Sequence, residues 1–269
     1  MDQMKCSCLP VTFYPDFFAG KTDIVQWSAQ GKVLGLDMVD INALFFQDLS
    51  LEDLRAIREQ LTLPVLMVSC YSDFSNPDPA LRKVAVEEMK VCIDKTEALG
   101  GSWVRLTAGQ HYPGQDEAET ICGICECFRE CCDYGAKHHV GVLMENHSKP
   151  GAWEYPDFNF DFGRFLHLWE VLREIPLLSV NFDIANAYAL EDWRTLLKVV
   201  SGRIATVHIN DLASVTPLKF CVAGDGIVPA AEMMAEIYKT GFQGVLCLEE
   251  AGFDGLEGMK REIGFTKTL

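Results

Sequence analysis

The sequence predicts a single α/β domain, a (β/α)8 barrel spanning residues 1–269. Three observations point to it. Short apolar runs alternate with longer amphipathic stretches about eight times from end to end, as expected of repeated βα units around a parallel sheet. Several runs are nearly continuous in Val, Ile and Leu, so both of their faces are buried beneath helices. An open doubly wound sheet would share those two features, and the third separates them. Glu145, Asp183, His208 and Glu249 each sit at or near the end of such a run, where barrel active sites are assembled.

Taken in order, the predicted strands cover 5–9, 35–41, 64–69, 103–108, 140–145, 178–183, 205–209 and 245–249. Helical stretches with plausible caps lie between them. Ser50 stands ahead of Asp53 and Leu54, and Asp116 opens a helical pattern running to Tyr134. The Pro- and Gly-containing segments 72–79, 109–114 and 148–160 follow strands and read as loops over the barrel mouth, placed to cover a substrate. No composition break, low-complexity stretch or long linker divides the chain.

At 269 residues and 49% hydrophobic, the chain suffices for one large core. A formal charge of −16, from 39 acidic against 23 basic residues, repels polyanions and argues against nucleic acid or an anionic lipid surface as partner. A small sugar or polyol fits that balance better. No apolar run approaches the ~18 residues of a membrane span, and Met1 to Pro10 lacks a basic segment followed by an apolar one. A soluble, cytoplasmic protein is expected, and eleven cysteines then read as free thiols in a reducing compartment.

The chemistry concentrates in Glu145-Asn146-His147, Asn181-Phe182-Asp183, His208-Ile209-Asn210-Asp211 and Glu249-Glu250, which end the last four predicted strands. Taken singly, each is explained as well by a solvated strand end or a satisfied buried polar group. Ionisable groups at four consecutive strand ends are costly, however, unless they are paired or bind a metal. Three carboxylates and one imidazole can close around one divalent ion. This oxygen-rich set suits Mn²⁺ first, with Mg²⁺, Co²⁺ or Zn²⁺ as alternatives. Glu250 competes with Glu249 for the last place, because adjacent strand residues face opposite ways and the phase is open. Asp211 fits the orientation of His208 or a turn cap better than a ligand role. Gly224-Asp225-Gly226 fits a backbone approach to substrate or a tight turn before a helix near Pro229.

These motifs, in this order and spacing, resemble the sugar phosphate isomerase/epimerase family, the xylose-isomerase-like TIM barrels. The resemblance runs over nearly the whole chain through Leu143-Met144-Glu145-Asn146-His147, Asn181-Phe182-Asp183, Val207-His208-Ile209-Asn210-Asp211, Gly224-Asp225-Gly226-Ile227 and Gly244 to Glu249. It implies a metal held by Glu145, Asp183, His208 and Glu249, with the two glutamates also acting as acid and base. It further implies a homo-oligomer, since relatives are often dimers or tetramers. Where many relatives carry a histidine three residues after the strand-six aspartate, this chain has Asn186, which hydrogen-bonds but does not titrate. That departure and a total of six histidines count against the multi-metal DNA-repair branch.

In such a site a Lewis acid on a ketose carbonyl lowers the cost of the enediolate formed when the adjacent C–H is deprotonated. Return of the proton to the other face epimerises the centre, and delivery to the neighbouring carbon isomerises the sugar. Three carboxylates against a divalent ion leave about one net negative charge, which favours a neutral sugar unless cations lie near. Arg105, His111, Lys149 and Lys219 are candidates for that, beside their ordinary role as surface charge. His147 shares a strand face with Glu145 and could touch substrate, or could pack in a loop against Trp153. Asn186 is a further substrate-binding candidate, and Asn181 and Asn210 share faces with Asp183 and His208.

Cys122, Cys125, Cys127, Cys131 and Cys132 begin with metal-like spacing, but they fall in a helical pattern where they form a buried apolar stripe. The alternatives to an isomerase or epimerase are a dehydratase of an inositol-derived ketone and a non-catalytic sugar-binding barrel.

Overall fold

A computed structural model describes residues 4–148 and 153–269. Its centre is an eight-stranded parallel sheet. The strands are β1 (Cys6–Leu9), β2 (Val39–Asn42), β3 (Val65–Ser69), β4 (Trp103–Leu106), β5 (Gly141–Glu145), β6 (Leu178–Asp183), β7 (Ile204–Ile209) and β10 (Val245–Glu249). The order β1-β10-β7-β6-β5-β4-β3-β2 places the first two strands at its ends. There the Asp37 N–H donates to Cys6 O at 2.9 Å and the Ser7 hydroxyl to Asp40 Oδ2 at 2.5 Å, bringing the ends together as a barrel. Two further strands, β8 (Asp211–Ser214) and β9 (Lys219–Cys221), form a separate antiparallel hairpin after β7.

The helices between the strands are α1 (Tyr14–Phe18), α2 (Ile24–Leu34), α3 (Leu51–Arg58), α4 (Pro79–Leu99), α5 (Glu117–Lys137), α6 (Phe162–Leu172), α7 (Ile184–Ala189), α8 (Trp193–Val200), α9 (Ala230–Lys239) and α10 (Gly255–Thr266). The expected caps are present. Ser50 and Asp53 make a reciprocal capping box on α3, and the Asp116 carboxylate accepts the Glu119 N–H at the start of α5. The second strand begins at Val39 instead of residue 35, because Gly35 is taken as the left-handed C-cap of α2, with φ 81°.

Strand alternation sorts the side chains. Cys6, Cys8, Ile41, Val68, Val104, Phe182, Ile209 and Leu248 face the helices and belong to one large buried core. Met67, Leu143 and Cys247 belong to a smaller apolar cluster with Leu66, and Met38, Trp103, Ala205 and Val245 pack against it at the strand starts. This second cluster forms an apolar floor towards the strand starts, opposite the polar residues at the strand ends.

Cys125, Cys127, Cys131 and Cys132 are buried on α5, while Cys122 is exposed. Burial pushes the Cys127 thiol up to about 11 and Cys132 to about 12, so both stay protonated as apolar packing groups. No helix among the described residues is long and apolar enough to cross a membrane.

Candidate active site

Four strand ends converge above the apolar floor. His208 is fully buried on β7, and its Nδ1 lies 3.1 Å from Glu145 Oε1, 3.9 Å from Asp183 Oδ2 and 3.9 Å from Glu249 Oε2. The ligand atoms of Glu145, Asp183 and His208 all lie within 4.8 Å of one another. Glu249 closes the fourth side and is the most open, with a side-chain exposure of 14% against 1% for Glu145. The phase of β10 brings Glu249, and not Glu250, beside His208. Glu250 turns outward, where a Cβ on Gly258 of α10 would lie 3.3 Å from its carboxyl carbon, and its Oε1 accepts the Asp254 N–H.

Each group is held by its surroundings. Asp183 is also the N-cap of α7, accepting the Asn186 N–H on Oδ1 at 2.7 Å, which leaves Oδ2 for the site. Asn146 fixes the same residue by two reciprocal 2.8 Å bonds to its backbone. Asn210 donates to Asp183 Oδ2 at 2.8 Å and to Glu249 Oε2 at 3.3 Å, bridging two of the carboxylates. Asn159, from the loop after β5, donates to the Glu145 carbonyl at 2.9 Å.

The electrostatics reflect crowding of negative charge. Burial, with the repulsion of Glu145 and Glu249, pushes the Asp183 carboxyl up to about 8. Burial works against a charged His208, yet the Glu145 carboxylate beside it lifts the imidazole to about 9. Glu145 itself is held well below the usual carboxylate range: burial opposes its charge, but Arg105 and His208 outweigh that. A buried set of oxygen donors with one nitrogen, converging on one point and repelling one another, fits a hard divalent cation. Glu145, Asp183, His208 and Glu249 could hold it.

The substrate-binding candidates separate. Arg105 is not at the mouth. It is buried inside the barrel, with Nε 2.8 Å from Glu145 Oε2 and its guanidinium 5.3 Å from the centre of the Tyr71 ring. His147 is buried near the cluster, its Nδ1 2.5 Å from Asp157 Oδ1, which also accepts from Trp153 Nε1 at 3.0 Å. Tyr71 packs edge-on against both His147 and Trp153. The Asn186 side chain is buried, with an Oδ1 that accepts no hydrogen bond. His111 stands apart, half-buried beside Phe158, and burial together with Arg164 holds its imidazole below the ordinary value. Lys219 is exposed on the β8–β9 hairpin, and Lys149 lies outside the described residues.

Asp211 is a turn cap. Its carboxylate accepts four backbone N–H groups, from Leu212, Gly224, Gly226 and Val228. The Gly224-Asp225-Gly226 turn is therefore tied to Asp211. The expected mouth loops are also fastened to one another: Ser72 and Thr107 exchange hydrogen bonds, Ser75 donates to Gln110 O, and Gln110 bridges to Asp157.

Sequence reasoning missed Asp157, Tyr71, Tyr14 and Asn42. Asn42 ends β2 and donates to the Tyr14 hydroxyl at 3.0 Å, and partial burial, with Tyr71 and Glu249 nearby, raises the half-buried Tyr14 phenol. Position alone could have flagged Asn42 and Tyr71, since one ends a strand run and the other follows one within two residues. Asp157 had no signal beyond its place in a mouth loop.

The chain can now be set beside known proteins. It is 24% identical over 233 residues to the L-ribulose-5-phosphate 3-epimerase UlaE of Salmonella paratyphi A, which covers 81% of this chain and 78% of that protein. Among solved structures, a D-psicose 3-epimerase from Clostridium cellulolyticum H10, determined with D-tagatose, aligns at TM-score 0.79 and 13% identity, over 98% of this chain and 99% of that one. The IOLI protein, determined with a bound zinc atom, aligns at TM-score 0.80 and 16% identity, over 98% and 96%. The family model described as "Xylose isomerase-like TIM barrel" matches residues 29–269, and the chain belongs to that family.

Proposed function

We propose that the protein is a divalent-metal-dependent isomerase or 3-epimerase of a keto-sugar or sugar phosphate. The observation that carries this is the convergence of Glu145, Asp183, His208 and Glu249 at one point above a closed apolar floor. The activities of UlaE and the D-psicose 3-epimerase, both 3-epimerases of ketoses, support the substrate class.

Glu145, Asp183, His208 and Glu249 would hold the ion, with Mn²⁺ the first choice and Mg²⁺, Co²⁺ or Zn²⁺ the alternatives. When bound, it supplies Lewis acidity that stabilises negative charge developing on the substrate oxygen. The protein's own groups do the rest. Asp183 is immobilised by Asn146, Asn186 and Asn210, so it holds position and moves no proton. Glu145 and Glu249 approach from strands that have two others between them, and Glu249 is the more open to the mouth. One carboxylate takes the proton from the carbon next to the carbonyl. Return by the other gives epimerisation, and delivery to the neighbouring carbon gives isomerisation. Asn186, whose buried Oδ1 accepts no hydrogen bond among the described residues, and His147 would contact substrate hydroxyls.

A second reading, a dehydratase, is favoured by the His147–Asp157 pair. A carboxylate-oriented imidazole beside the cluster could protonate a departing hydroxide after the same first step. The partner in either case is a small sugar or polyol, and homo-oligomers fit the family pattern.

The test is incubation of the Mn²⁺-loaded protein with ketopentoses, ketohexoses and their phosphates in D₂O, followed by NMR and mass spectrometry. Deuterium at the carbon next to the carbonyl, without loss of water, supports the isomerase or epimerase. Loss of water supports the dehydratase. No exchange with any ketose, by a protein that binds the metal, would leave a non-catalytic sugar-binding barrel.

A further inference from the structure

A guanidinium placed inside a barrel is costly unless its charge is matched. Arg105 is 1% exposed. It stands in register with Leu143 on β5, and its side chain rises to Glu145, two residues further along that strand. Its partners are the Glu145 carboxylate at 2.8 Å, the Cys70 carbonyl at 3.4 Å and the face of Tyr71. A guanidinium is not deprotonated in proteins, so the group brings a fixed positive charge to Glu145.

Glu145 is divided by this contact. Its Oε2 is taken by Arg105 and its Oε1 faces His208. Arg105 therefore sits directly behind one ligand of the cluster. Counting Glu145, Asp183 and Glu249 as ionised, a divalent ion alone leaves one negative charge, and Arg105 brings the sum to zero.

We propose that Arg105 is a positioning residue and built-in counter-charge of the metal centre: it holds Glu145 Oε2, turns Oε1 to the ion, and gives up metal affinity for a loaded site without net charge. Such a site does not repel the negative charge that develops on a substrate oxygen when a neighbouring C–H is deprotonated. Of the cations the sequence offers against that charge deficit, Arg105, His111, Lys149 and Lys219, it is Arg105 that meets a carboxylate of the cluster, from within the barrel. This role rests on the metal-dependent function proposed above.

The direction of one measurement distinguishes a counter-charge from a structural brace. Arg105→Gln removes the charge and keeps a polar side chain, Arg105→Met removes both, and Arg105→Lys keeps the charge. Titration of Mn²⁺ alone into the metal-stripped full chain by calorimetry should show about tenfold tighter binding in Arg105→Gln, because a cation next to a ligand carboxylate no longer opposes the ion. Arg105→Lys should stay within about threefold of the wild type by the same charge argument. Unchanged or weaker binding in a folded Arg105→Gln protein overturns the proposal. So does failure of both the Gln and Met variants to melt cooperatively, since Arg105 would then be a brace. Absence of Mn²⁺ binding by the wild type would instead remove the proposed function itself.

Discussion

Replacing Asp211 with asparagine should cost much stability and leave the metal centre intact. Oδ1 accepts the N–H groups of Leu212 at 2.8 Å and Val228 at 2.9 Å, and Oδ2 those of Gly224 and Gly226, both at 3.0 Å. The residue is buried, and the variant keeps only one of the two oxygens. Two N–H groups would then face an NH₂ group and lose their acceptor. Hydrogen bonds to a charged acceptor contribute about 1.5–3 kcal/mol each, so the loss of two is about 3–6 kcal/mol. For a large chain that lowers Tm by roughly 6–24 °C. Gly226→Ala should act in the same direction, because its Cβ would lie 2.4 Å from both Asp211 Oδ1 and Leu212 O. The assay is thermal unfolding by circular dichroism, with Mn²⁺ titrated into each variant below its transition. An unchanged Tm refutes the turn-cap account. Loss of Mn²⁺ binding at unchanged Tm would instead make Asp211 part of the metal centre.

Asp40 is buried inside the barrel, and burial pushes its carboxyl up from 3.8 to about 6. A raised carboxyl favours the folded state at low pH and loses that contribution as pH rises through 6, so Asp40→Asn should be stabilising at pH 8 by up to roughly 3 kcal/mol. In urea titrations the gain should fade towards pH 4, and a gain independent of pH would contradict the assignment. Glu249→Gln should weaken Mn²⁺ binding by about tenfold or more, with Glu250→Gln near wild type; calorimetry showing the reverse would invert the assigned phase of β10. Cys131→Ser, at a fully buried position on α5, should cost about 1–3 kcal/mol through an added buried hydroxyl, with metal content unchanged.

Much of the fold was legible because buried parallel strands write themselves as apolar runs. Glu145, Asp183, His208 and Glu249 stood out because a charged group ending such a run has no apolar explanation. What stayed hidden depends on partners distant in sequence. Arg105 lay within a recognised strand run, but its pairing with Glu145, 40 residues on, needs the register of β4 against β5. Asp157 reaches His147 across ten residues, from a position bridged to Gln110. The β8–β9 hairpin was missed for a related reason. Its strands are short and partly exposed, and they are held by the Asp211 cap more than by an alternating pattern. At Gly35 the apolar run hid a helix cap, since local composition did not show where α2 ended.

Whether Glu145, Asp183, His208 and Glu249 hold one divalent ion is read by native mass spectrometry, with elemental analysis of the protein purified from Mn²⁺-supplemented medium, beside a Glu145→Gln/Asp183→Asn variant shown to fold by circular dichroism. One ion per wild-type chain and none in the variant is the expected result. A wild-type chain that stays metal-free after Mn²⁺, Mg²⁺, Co²⁺ and Zn²⁺ are added back, or a variant that keeps its ion, would contradict it.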